Sequence, residues 1–164
     1  MTRLEVLDVI ANKSSPEVFH AKSWGISWGT EVIESLKLVA AQNPRQRSRL
    51  CLNPTTQDRH QEMLICLGAK AVETPQRRLT GFDTKVVIDG EATLHYYTLD
   101  GRLSSAIDLG ESGQRYVNTC GEDYHALHSK TEWFVFLEIC QGPFYPGVTQ
   151  FAPWAVPEVL GGKS

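Results

Sequence analysis

Two stretches of the chain hold side chains that could do chemistry. The first is Gln76-Arg77-Arg78, with Asp83 after four intervening residues and Gly90 after six more; the second is Tyr124-His125. In an extended strand Gln76 and Arg78 project to one face and Arg77 to the other. A guanidinium at Arg78 suits a carboxylate or phosphate, which it can grip through two parallel hydrogen bonds. Asp83 has two available roles: an ion-pair partner that would let Arg78 be buried, or a proton carrier. His125 is a candidate general acid or base, because an imidazole titrates near pH 6.5, and Tyr124 or Asp83 would share the proton with it. His95 stands on one strand face with Thr93 and Tyr97, opposite Leu94 and Tyr96. Alternation leaves open which of these two faces lines a cavity.

These residues need a scaffold, and the chain is long enough for one. Its 164 residues make one domain's worth of core, and 41% hydrophobic with 21% charged residues describes an ordinary globular chain. A net charge of −3 supplies no global field for nucleic acid or an anionic membrane, so any anion site must be local. Cys51, Cys66, Cys120 and Cys140 are too widely spaced for zinc or redox pairs and are expected as reduced thiols. Glu5 and Asp8 interrupt the opening apolar stretch, unlike a signal peptide, and no run approaches the roughly 20 apolar residues of a membrane span. A cytoplasmic location is the expectation.

Residues 1–29 mix Pro, Gly, Ser and two Trp without periodicity and read as an extended arm. Phe19, Trp24 and Trp28 are costly to leave in water, so the arm should dock on its own barrel or on a partner subunit. From Thr30, a candidate cap, Val32, Ile33, Leu36, Val39 and Ala40 recur at helical spacing until Asn43-Pro44 stops the helix. Strands are expected at 61–67, 71–78, 84–88, 91–98, 103–109, 115–118, 125–128 and 133–139, each rich in β-branched or aromatic residues. Asp89-Gly90 and Asp100-Gly101 are hairpin signals. One helix and about eight strands predict an antiparallel sandwich or barrel. Arg45, Arg47 and Arg49 alternate after the helix, either as a solvated edge or as an anchor for the arm or an anionic ligand. Phe134, Val135 and Phe136 read as core or subunit contact, Trp154 as packing across the sheet, and His20 and His128 as surface or hairpin residues.

The Gln-x-Arg, Asp, Gly spacing resembles the first cupin motif, in which His-x-His and a Glu hold one metal; His125 matches the single His of the second. The chain further resembles the WbuC-type cupins of bacterial surface-polysaccharide gene clusters. The matching text is 43–51, Glu62-Met63-Leu64-Ile65, Trp133-Phe134-Val135-Phe136 with Glu138, Gly142-Pro143-Phe144, and Phe151-Ala152-Pro153-Trp154-Ala155. The resemblance implies a mainly β fold, the cupin double-stranded β-helix, and a homodimer. With the resemblance spanning about residues 16 to 158, the chain is expected to divide into an N-terminal arm (1–29), a cupin domain including the helix (30–158) and a flexible C-terminal tail (159–164). Gln76-Arg77-Arg78 replaces the family's His-Arg-His and Asp83 its Glu, so His125 alone of four metal ligands is unchanged. A guanidinium offers a metal no lone pair and repels it.

The expectation is therefore a pocket without a cofactor that takes a small, anionic ligand. Arg78, Gln76, His95 and Arg47 are the binding candidates, and His125, Tyr124 and Asp83 the catalytic ones. Proton-transfer chemistry on a sugar, as in an isomerase, epimerase or lyase, is one reading. A non-catalytic ligand-binding or scaffold module is the second. A weakly bound divalent metal on Gln76, Asp83 and His125 is the third.

Overall fold

The structure, a computed structural model, describes residues 4, 8–119 and 121–155. Cys120 and the expected tail at 159–164 lie outside these. The elements run β1 (Val9–Ala11), β2 (Val18–Ala21), α1 (Thr30–Gln42), β3 (Arg47–Cys51), β4 (His60–Gly68), β5 (Gln76–Arg78), β6 (Asp83–Asp89), β7 (Ala92–Tyr97), β8 (Leu103–Leu109), β9 (Tyr116–Thr119), β10 (Tyr124–Ser129), β11 (Trp133–Gln141) and β12 (Thr149–Phe151). A seven-stranded sheet in the order β1-β2-β3-β4-β11-β6-β9 faces a five-stranded sheet in the order β12-β5-β10-β7-β8. Among the described residues no helix is long and apolar enough to cross a membrane.

Helix α1 starts and stops for local reasons. Gly29, not Thr30, is its N-cap, and no side chain caps it; Glu31 places a negative charge in the first turn, where the helix dipole favours one. Asn43 turns extended before Pro44, whose ring disfavours a helical conformation in the residue ahead of it. The apolar stripe Val32, Leu36, Ala40 packs with Leu50, Leu64, Cys66 and Val135 on the outside of the large sheet. The Ser48 hydroxyl pins the contact by donating to the Leu36 carbonyl at 2.7 Å.

The arm is more ordered than its composition suggests. Strand β2 pairs in parallel with β3, Phe19 opposite Leu50, and β1 pairs back onto β2. The arm thus docks on its own sheet: Phe19 and Trp28 pack against the α1 cluster, whereas Trp24 stays 52% exposed. Arg45 holds it through Glu17 at 3.5 Å.

One of the two Asp-Gly turns makes a hairpin. Asp100-Gly101 joins β7 to β8, and the Gly101 amide donates to the Thr98 carbonyl. Asp89-Gly90 instead carries the chain from one sheet to the other, since β6 and β7 do not pair. Its glycine has φ of +80°, and a Cβ there would lie 2.1 Å from the Trp133 carbonyl. The requirement is for a positive φ and a close approach, which Asp-Gly satisfies as well as it satisfies a hairpin.

Between the sheets Ile65, Leu67, Leu94, Leu109, Leu127, Phe134 and Phe136 form the barrel core. The remaining expected strands form with shifted ends, β5 being three residues rather than eight. Cys51, Cys66 and Cys140 are buried free thiols.

Candidate functional site

Strands β6, β10 and β11 each run from this apolar core into a charged end of the barrel. On β11 the inward residues Phe134 and Phe136 are followed in phase by Glu138, and Glu138 stands opposite Lys85 of β6. Asp83 shares the Lys85 face, two residues away. The Lys85 ammonium lies 2.8 Å from Asp83 Oδ2 and 3.1 Å from Glu138 Oε1, and it is 4% exposed. On β10 His125 faces the same interior, opposite Tyr96 of β7 and Gln76 of β5. Its Nε2 is 3.9 Å from Asp83 Oδ2, too far for a hydrogen bond but close enough to become one with a small shift.

The charges set one another. Burial would lower the Lys85 pKa, but Asp83 and Glu138 overcome it and raise it. Burial would raise Glu138, but Lys85 and Arg49 hold it low. Asp83 is pushed up to about 7 by burial and by Glu138, against the pull of Lys85. His125 is pushed down to about 4 by burial and then by the Lys85 charge, with its hydrogen bond to the Asp123 backbone acting the other way. The usual order of a carboxylate and an imidazole is thus inverted: His125 is neutral near pH 7, and a proton between the two resides on the carboxyl. Asp83 Oδ1 is buried without a hydrogen-bond partner.

A cavity of about 220 Å³ opens over this group, lined by Arg78, Tyr96, Thr119, Gly121, Glu122, Asp123 and His125. Asp83 lies behind its wall, and the Thr119 hydroxyl donates to the Asp83 carbonyl at 3.1 Å.

Of the residues singled out from sequence, His125, Asp83 and Arg78 come together. The expected Arg78–Asp83 ion pair does not form, however. Asp83 is engaged by Lys85, and Arg78 donates to the carbonyls of Thr80 and Gln141 at the cavity edge. Gln76 flanks His125 on the neighbouring strand without lining the cavity. Tyr124 is on the opposite face: its ring lies 4.9 Å beneath the Arg77 guanidinium and edge-on to Trp154, so it does not reach His125's side. Trp154 there packs across the small sheet as expected. His95 is also outside, its ring tilted against that of His128 at 4.7 Å between centroids, because the Leu94 and Tyr96 face is the inner one. Arg47 is half-buried on β3, its pKa lowered by burial and by Arg49, and does not line the cavity.

Lys85 and Glu138 escaped the sequence reading as site residues. The available signal was phase: Glu138 continues the inward face of Phe134 and Phe136 on β11, and Lys85 lies between Asp83 and the apolar Val87 on the inward face of β6. Among the described residues no three of His, Cys, Asp or Glu converge as a metal-ligand set. Gln76, Asp83 and His125 do not fit a metal, because Asp83 is already bonded to an ammonium.

No protein-family model matches the chain, and no curated protein matches it. Solved structures do. The capsular polysaccharide assembling protein CapF from Staphylococcus aureus aligns with TM-score 0.54 and 17% identity over 66% of this chain and 32% of its own. Oxalate oxidase in complex with glycolate gives TM-score 0.53 and 12% identity, covering 68% of this chain and 58% of its own. Procruciferin, an 11S globulin from Brassica napus, gives TM-score 0.51 and 16% identity over 66% and 27%. This chain spans less than two thirds of the length of each. An oxidase and a globulin on one scaffold show that the likeness carries architecture and not chemistry. The chain has the mainly β cupin fold, a double-stranded β-helix with one helix and a paired N-terminal arm.

Proposed function

We propose that the protein is a WbuC-type cupin of the cytoplasm, a homodimer, that binds a small anionic metabolite of the sugar or sugar-nucleotide class and moves a proton on it without a transition metal. Isomerisation, epimerisation or elimination in polysaccharide or secondary biosynthesis are the reactions that suit it. The observation that carries the reading is geometric: His125 lines the cavity with its Nε2 3.9 Å from the buried carboxyl of Asp83 behind it. Asp83, with a pKa of about 7, can both take and give a proton near neutral pH, which is where a general acid–base group works best. Neutral His125 stands between it and the cavity, and Arg78 presents a cation at the edge for a carboxylate or phosphate. The similarity to a capsule-assembling protein is in keeping with a polysaccharide setting.

The test has three stages. A thermal-shift screen of sugar nucleotides and sugar phosphates should find a ligand, since saturation to 100 times Kd adds about 2.7 kcal/mol of stability. Arg78→Ala should lose that shift. The bound ligand should then exchange a carbon-bound proton with deuterated solvent, visible by NMR, and His125→Ala should stop the exchange. Binding without exchange or turnover favours a non-catalytic module, a reading helped by the two backbone carbonyls that already occupy Arg78.

A further inference from the structure

Two carboxylates on neighbouring strands, Asp83 two residues out of register with Glu138 and both almost sealed from solvent, require a cation between them, and here the chain supplies it in Lys85, the residue opposite Glu138. Lys85 Nζ is 2.8 Å from Asp83 Oδ2 and 3.1 Å from Glu138 Oε1, with His125 Nε2 a further 3.9 Å beyond the same Asp83 oxygen. Carboxylate oxygens are donors that a divalent ion would use, and here both carboxylates are already turned onto an ammonium. We propose that the Lys85 ammonium is the resident cation of the cavity floor, a positioning residue that gathers Asp83 and Glu138 as a bound metal would and excludes divalent ions from them.

Three features favour this over an incidental ion pair. The ammonium has no lone pair and so cannot join a metal; it can only displace one. Arg49 adds a second positive charge felt by Glu138, so the group is already compensated without an ion. Lys85 is also tethered, so the cation cannot be removed by a chelator or exchanged for a redox-active one. The inference does not depend on which ligand the cavity takes, and its test uses none.

The test compares wild type, Lys85→Ala and Lys85→Arg for thermal stability and metal content with Zn²⁺, Mn²⁺ or Ni²⁺ as the only probe. Wild type should be indifferent to all three. Lys85→Ala should melt lower and be raised by several degrees at millimolar metal, with about one ion retained per chain and the gain reversed by EDTA. Adding Glu138→Gln should abolish the gain. Lys85→Arg, which keeps the charge, should stay as indifferent as wild type. Three results would overturn the proposal: a folded Lys85→Ala without saturable metal binding, equal binding by wild type, or a Lys85→Ala that cannot be folded with or without metal while Lys85→Arg folds.

Discussion

The two ends of the barrel interior are built by the same three strands and differ in every inward residue. At one end β6, β10 and β11 contribute Val87, Leu127, Phe134 and Phe136; at the other they contribute Asp83, Lys85, His125 and Glu138. The strand geometry is common to both, so the difference lies wholly in how each end meets the loss of water. Burying a Phe or Leu side chain stabilises by roughly 1.5–3 kcal/mol. A buried ion pair about breaks even, because desolvation offsets the Coulomb attraction, and an apolar replacement of like volume is often more stable. The charged end is therefore not what holds the barrel shut. It is tolerated because each charge finds a partner, and it sits where the cavity opens.

That contrast can be broken by removing one member of either end. Lys85→Met leaves two carboxylates facing each other without a cation and should cost about 3–5 kcal/mol in urea denaturation. Replacing Asp83, Lys85 and Glu138 together by apolar residues should recover most of that loss, and a Lys85→Met cost under about 1 kcal/mol would show the end to be hydrated. Phe136→Ala should also cost about 3–5 kcal/mol, through a cavity rather than a charge, and the loss should be the same at pH 5 and pH 8.

pH sharpens the comparison. The folded pKa of Asp83, about 7, lies above its ordinary 3.8, so its contribution to stability is complete below pH 3.8 and lost as pH rises to 7. The folded pKa of His125, about 4, lies below its ordinary 6.5, so its contribution is complete above pH 6.5 and lost as pH falls to 4. Between these limits the unfolded chain carries one proton on the imidazole and the folded chain one on the carboxyl, and the two slopes cancel. His125→Gln should then lose stability as pH rises from 4 to 7, and Asp83→Asn should gain it from 4 to 6.5, each by up to about 1.4 kcal/mol per pH unit. Parallel slopes in the two variants would remove the inversion. The smallest effect belongs to Arg78→Ala, under about 1 kcal/mol without ligand, because its guanidinium donates to the Thr80 and Gln141 carbonyls at the exposed cavity edge.

Much of this was legible in residue order. Alternation and β-branched content located β4, β6–β8, β10 and β11, and helical spacing ended at Asn43-Pro44 as the structure has it. The arm strands β1 and β2, of three and four residues, were not legible because β3 supplies the pairing that makes them strands. Type and spacing singled out His125, Asp83 and Arg78, which the fold brings to one end of the barrel without the expected Arg78–Asp83 ion pair. Tyr124 and His95 were misplaced because period-two alternation says which residues share a face and not which face is inside.

Residue order was enough for a mainly β fold with one helix, but it pointed to Arg78 as the cation beside Asp83, and packing gave that place to Lys85 while Arg78 turned to backbone carbonyls. Arg78 and Lys85 are both near Asp83 along the chain, but Lys85 stands in phase with Asp83 on β6 and in register with Glu138 on β11. Desolvation acts on whatever the packing of separate strands brings together, and that is a property of neighbours in space.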